Sequence, residues 1–242
     1  VPQSNSGAVS RRGNRIGIAV VIGVVSAVAV AVAITVSTRS PDQAASPASS
    51  APSSQVVQTA SADATTTEAV VRGYQGVAVP FFGIGYDVPT GWVIEPARTT
   101  WTIGGFTGRG QADEGAHYCP GSGFRAVATL TDSGQGDPAQ AATAVGTTAA
   151  QTSYDGSGGG NASPAVALTT RSGITGQYVE TSGNWMPGRP GCSTTKFSVY
   201  TFAFLGRSGA VLVLAILADR GTAGELTPVQ AREILTSVRE LR

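Results

Sequence analysis

The sequence predicts an α+β chain: an antiparallel β-sheet flanked by helices, preceded by one transmembrane helix and a disordered linker. Three observations carry this reading. Ile16 to Val36 is an uncharged run in which only Ser26 and Thr35 are polar. A stretch rich in Ser, Ala, Pro and Thr follows it. Beyond residue 72, short β-like segments alternate with Gly- and Pro-containing turns and only two helix openings interrupt them, the order expected of hairpins with helices laid on the sheet.

Residues 1–15 are polar and basic and read as a short cytoplasmic tail. Residues 16–36, as a helix, would rise about 31 Å and cross the hydrocarbon core of a bilayer. Arg11, Arg12 and Arg15 precede this run and only Arg39 follows it before Asp42, so the charge bias keeps the N-terminus cytoplasmic. The C-terminal domain is then extracytoplasmic, on a single-pass protein of the cell membrane. The run exceeds the apolar core of a secretory signal, and Val36-Ser37-Thr38 is a poor cleavage site, which predicts an uncleaved signal anchor with the lipid bilayer as its partner. Ala19, Gly23, Ala27, Ala31 and Thr35 form a small-residue stripe. Two readings of it stand, a homodimer through the membrane helix and the chance product of an Ala-rich chain. Residues 37–71 hold too little bulky apolar surface to offset ordering entropy and read as a tether to a domain at 72–242.

Within the domain, Ile84 to Val88 reads as a strand, Pro89-Thr90-Gly91 as a turn and Trp92-Val93-Ile94 as the return strand of a hairpin. Thr100 to Phe106 alternates as a strand, and a polar Gly-rich connection then runs through Arg109, Asp113 and Glu114 to Cys119. Arg125 to Thr131 is strand-like. Asp137-Pro138-Ala139-Gln140 opens a helix with an apolar stripe at Ala141, Ala142, Val145 and Ala149. Strands at about 165–171 and 174–181 meet at Ser172-Gly173, and residues 183–191 form an irregular loop to Cys192. Lys196 to Leu205 and Ala210 to Ala218 flank a Gly206-Arg207-Ser208-Gly209 turn. Val211 to Leu217 is apolar at every position, which demands cover on both faces of the sheet. The helix after Thr227-Pro228, apolar at Ala231, Ile234, Leu235 and Val238, supplies one such cover.

Fifteen arginines against the single Lys196, in a chain rich in Ala, Val, Gly and Thr, point to a high-GC bacterial genome. From residue 72 onward the chain carries twelve basic and twelve acidic side chains, with no electrostatic footprint for nucleic acid. Cys119 and Cys192 both lie on the outer side, where disulfides persist, and are expected to pair. His117 is the only histidine, too little for a metal site with them, and no metal or cofactor is expected.

Tyr86-Asp87-Val88-Pro89-Thr90-Gly91-Trp92 and the closing Ile234-Leu235-Thr236-Ser237-Val238-Arg239 resemble the opening and closing of PsbP-like domains. The resemblance is nearest to the extracytoplasmic domains that follow one membrane helix and a Pro/Ser/Thr-rich linker in actinobacteria, and covers roughly residues 80–240. It implies an α/β/α sandwich and brings no catalytic residues.

Two motifs suggest chemistry. Ser193-Thr194-Thr195-Lys196 matches the Ser-x-x-Lys pattern of penicillin-binding enzymes, although a strand follows it where those enzymes have a helix, and their Ser-Asp-Asn and Lys-Thr-Gly partners are missing from the sequence. A Ser-His-acid triad would have to use His117, and no Gly-x-Ser-x-Gly elbow exists. Among the aromatic residues, Trp92 and Trp101 read as core. Trp185, with Met186 beside it in a polar, Pro-rich loop, reads as a contact for a ligand or partner. The expectation is a membrane-anchored binding or interaction domain engaging an envelope protein, lipid or glycan. The alternative is an envelope hydrolase or transferase using Ser193 or His117.

Overall fold

The computed structural model describes residues 65–120 and 122–242. The expected cytoplasmic tail, the span at 16–36 and the linker up to residue 64 lie outside the described residues. Among those described, no helix is long and apolar enough to cross a membrane.

The chain enters through β1 (Thr66–Thr67) and β2 (Tyr74–Val79), makes one 3-10 turn at Pro80–Phe82 and returns as β3 (Ile84–Pro89). Then come β4 (Val93–Ile94), β5 (Thr100–Ile103), β6 (Phe106–Glu114) and β7 (Ala126–Asp132), followed by α1 (Pro138–Ser153). The second half holds β8 (Asn161–Ala162), β9 (Val166–Thr169), β10 (Thr175–Asn184), β11 (Lys196–Leu205) and β12 (Val211–Arg220). Helix α2 (Pro228–Thr236) and β13 (Arg239–Glu240) close the chain. The larger sheet runs β4-β6-β7-β12-β11-β10-β8, with β5 on β6 and β9 on β10, and the smaller runs β1-β2-β3-β13. Every pairing between named strands is antiparallel. The α+β class is thus the observed one.

Strand β12 shows why the layers form. Val211, Val213, Ala215 and Leu217 pack into one cluster with α1, while Leu212, Leu214, Ile216 and Ala218 pack into another with α2 and the smaller sheet. Each fully buried Leu or Ile here contributes on the order of 1.5–3 kcal/mol. Asp137, in extended conformation, accepts the Gln140 N–H at 2.8 Å and starts α1. Its inner face is Ala141, Ala142, Val145, Gly146, Ala149 and Ala150, small enough for close approach to the sheet. A Cβ at Gly146 would lie 2.9 Å from Thr181 Oγ1. Helix α2 carries a reciprocal cap: the Gln230 N–H reaches Thr227 Oγ1 at 3.2 Å and the Thr227 N–H reaches Gln230 Oε1 at 3.0 Å.

Three expectations are corrected. Ile84–Pro89 does not form a hairpin with Val93–Ile94: β3 pairs with β2, and β4 pairs with β6. The Pro89-Thr90-Gly91 turn instead hands the chain from one sheet to the other, and alternation within a strand says nothing about its partner. The expected Gly-rich connection after Phe106 is the nine-residue strand β6. Its glycines are there for contact. A Cβ at Gly108 would meet Thr129 Oγ1 at 2.4 Å, and Gly110, at φ +60°, sits where the register to β7 shifts between Arg109 and Ala112. The Tyr86 hydroxyl donates to the Gly110 carbonyl at this bulge.

Residues 65–71, placed by composition in the tether, belong to the folded unit. Asp87 holds them. Its fully buried carboxylate accepts the Val70 and Val71 N–H groups at 2.7 and 2.9 Å and pairs with the Arg239 guanidinium at 2.7 Å. Arg239 also donates to the Glu68 carbonyl, and the Asp87 N–H donates to Ser237 Oγ at 2.7 Å. One carboxylate therefore joins the start of the domain to its end. Removing one partner of such a pair strands the other's charge, so Arg239→Met is expected to lower unfolding free energy by about 3–5 kcal/mol, measured as a shift in urea midpoint.

Candidate functional site

The disulfide Cys119–Cys192, with Cα atoms 5.0 Å apart, ties the segment after β6 to the loop after β10. That loop holds Trp185 and Met186. The Trp185 N–H donates to the Thr195 carbonyl at 3.0 Å and Cys192 N–H to the Arg189 carbonyl at 3.2 Å, so its backbone is held near both ends. Beneath it lies Tyr154, the residue that ends α1, stacked on Phe197 with ring centroids 4.3 Å apart. Trp185 meets the Tyr154 ring edge-on at 5.0 Å, and its indole N–H donates to the Asp155 carbonyl at 3.2 Å. Met186 is left 75 % exposed. The two side chains line two cavities, of about 390 and 500 Å³.

Asp219, near the end of β12, lines the 390 Å³ cavity while only 7 % exposed. Its N–H donates to the Arg125 carbonyl at 2.8 Å. Its carboxylate accepts the Tyr118 hydroxyl, and Tyr118 and Thr194 hydroxyls lie 2.6 Å apart, giving a relay from Thr194 through Tyr118 to Asp219. Arg125, Arg207, Arg220 and Arg239 form their ion pairs with other carboxylates. Burial pushes its carboxyl up to about 6, against a smaller opposing pull from the Tyr118 and Tyr154 hydroxyls. Tyr118 is itself pushed up to about 12 by burial and by Asp219. Arg220, the next residue along the strand, alternates to the other face of the sheet. There its charge is met by Glu225 at 3.1 Å, beside Ser198 and the Tyr200 hydroxyl.

The structure brings Trp185, Met186 and the two cysteines together, and leaves the other candidates apart. The Ser193 hydroxyl is exposed and shares a hydrogen bond of 2.7 Å with Thr222, while Lys196 opens β11 rather than continuing a helix. His117 is exposed, has φ +58°, and makes no hydrogen bond among the described residues. Glu114, expected in a loop, lies in β6 and holds Arg125 by two hydrogen bonds at 2.6 and 2.9 Å. Trp92 is core, and Trp101 is half-buried against Phe124. Among the described residues no group of three or more His, Cys, Asp or Glu side chains is placed to hold a metal ion.

A family model described as domain of unknown function (DUF8017) matches residues 67–242, which takes in everything from the second residue of β1 onward. The chain belongs to this family. The comparison with curated proteins finds no match.

Sequence reasoning missed Asp219, Tyr118 and Tyr154 as parts of this DUF8017 site. One signal was there to read: Asp219 follows directly on the unbroken apolar run of β12, where a carboxylate is costly unless something receives it. The consequence for stability has a definite sign. Between the ordinary carboxyl value of 3.8 and about 6 the folded chain holds a proton on Asp219 that the unfolded chain has released. Stability from this group is full below 3.8 and is lost as pH rises through 6. The stability of Asp219→Asn relative to wild type is therefore expected to improve by on the order of 1 kcal/mol between pH 5 and 7.5, read from urea midpoints.

Proposed function

We propose that this DUF8017 chain is a membrane-anchored, extracytoplasmic binding domain of a bacterial cell envelope, contacting its partner through Trp185 and Met186. The observation that carries the reading is an exposed methionine beside an indole supported from below by the Tyr154–Phe197 stack, on a loop held by a disulfide and flanked by two cavities. An aromatic anchor on a pre-ordered loop loses little freedom on binding, which is what contact centres share. The disulfide supports the oxidising side of the membrane. The uncharged run at 16–36, with its upstream arginines, supports a single-pass signal anchor with the N-terminus in the cytoplasm. The finer reading, an actinobacterial protein with a PsbP-like sandwich, rests on the Tyr86 to Trp92 motif and the closing helix.

The test uses the full chain in its own host, with a photo-crosslinking amino acid in place of Met186. A discrete adduct with an envelope component is expected, reduced about tenfold or more by Trp185→Ala, with external protease cutting the domain in intact cells. An adduct indifferent to Trp185→Ala, or a domain sheltered from external protease, would overturn the reading.

A further inference from the structure

The 390 Å³ cavity has a chemical character beyond a contact surface. Its lining includes one carboxylate withdrawn from water, Asp219, which accepts the Tyr118 hydroxyl and is also drawn by the Tyr154 hydroxyl. Two hydroxyl donors occupy about half of the lone-pair sites of a carboxylate, so acceptor capacity remains. The Tyr118 and Trp185 rings and the Met186 thioether stand in the same wall, and ring faces attract cations while a thioether accommodates an apolar chain. Ser122 and Ser153 add hydroxyl oxygens; Ser122 donates its own proton to the Phe124 carbonyl at 2.8 Å and so presents lone pairs. Asp155 and Arg189 also belong to the lining, which with Asp219 ionised leaves it one negative charge in excess.

Resting on the reading of the Trp185 loop as a binding surface, we infer that this cavity binds a primary alkylammonium group, with Asp219 as counter-ion and Tyr118, Trp185 and Met186 around its carbon chain. A primary ammonium carries three N–H donors and no acceptor, which matches a carboxylate flanked by hydroxyl oxygens. A quaternary ammonium has the charge without the donors. An alcohol can donate one proton but brings no charge to offset the buried carboxylate. Among the described residues no three His, Cys, Asp or Glu side chains are grouped as a metal site would require of such ligands. The cavity volume lies in the range of small-molecule sites.

The probe is n-butylammonium chloride, titrated into the full chain in detergent micelles and read by tryptophan fluorescence at constant ionic strength. Tetramethylammonium chloride and 1-butanol are the comparators, with Asp219→Asn and Trp185→Ala as variants. Saturable binding of butylammonium is expected, with each comparator weaker by about tenfold or more, the scale of one lost charge-assisted hydrogen bond. Asp219→Asn should lower butylammonium affinity to the level of 1-butanol. Wild-type affinity should fall as pH drops from 7.5 to 5, because a carboxyl that protonates at about 6 then offers no counter-charge. That profile needs no variant to fold. Tighter binding of Nα-acetyl-lysine methylamide than of butylammonium would support a lysine side chain as the natural source, and the reverse would support a free amine. Equal binding of 1-butanol, an unaltered Asp219→Asn, or a flat pH profile overturns the ammonium inference while leaving the Trp185 surface, which the crosslinking experiment decides by itself.

Discussion

A strand with no polar face cannot lie at the surface of a sheet, and β12 is that strand. Eight successive apolar residues, Val211 to Ala218, point alternately to opposite sides, so water must be excluded from both. Helix α1 meets one requirement with a face of four alanines, Val145 and Gly146 that approaches the sheet closely. The other is met by α2 and the smaller sheet together, whose Tyr86, Ile84 and Val88 fill the space between layers. Local signals start these covers at the right places: Asp137 and Thr227 cap the two helices, and glycine turns return the chain between neighbouring strands. The three layers follow from one sequence segment and the elements cut to cover it.

Where that segment stops being apolar, the chemistry begins. Asp219 and Arg220 are adjacent and face opposite ways, and the protein treats them differently. Arg220 is received by Glu225, Ser198 and Tyr200, a network that balances its charge. Asp219 is received by the Tyr118 and Tyr154 hydroxyls, which fill part of its acceptor capacity and bring no charge to it. The loop carrying Trp185 and Met186 sits beside this second environment because Cys192 is bonded to Cys119, the neighbour of Tyr118 in the chain. Redox state, aromatic support and the carboxylate are therefore parts of a single local structure.

Much of the fold was legible in short-range patterns. The turns at Gly173 and Gly209, the caps of both helices, the doubly covered strand and the apolar stripe of α2 each depend on residues within a few positions of one another. What could not be read is long-range. The partner of β3 is chosen by packing, and the strand character of β6 is masked by glycines that exist to admit Thr129 and to form a bulge. At the site, Trp185 and Met186 stood out because bulky groups in a polar loop are anomalous by themselves. Tyr118 and Asp219 are separated by 101 residues, and neither is unusual until β12 and the disulfide bring them together.

The Asp87 clamp has a mechanical consequence. Tension reaching residue 65 from the upstream chain meets first a two-residue strand paired to β2, and then two amide groups and a guanidinium that converge on one side chain. Because that guanidinium belongs to Arg239, the load passes to the closing strand as well as to the opening one. The two ends of the domain yield to a pull jointly, as a latch does, and the alanine-faced helix on the other side of the large sheet stays out of the line of force.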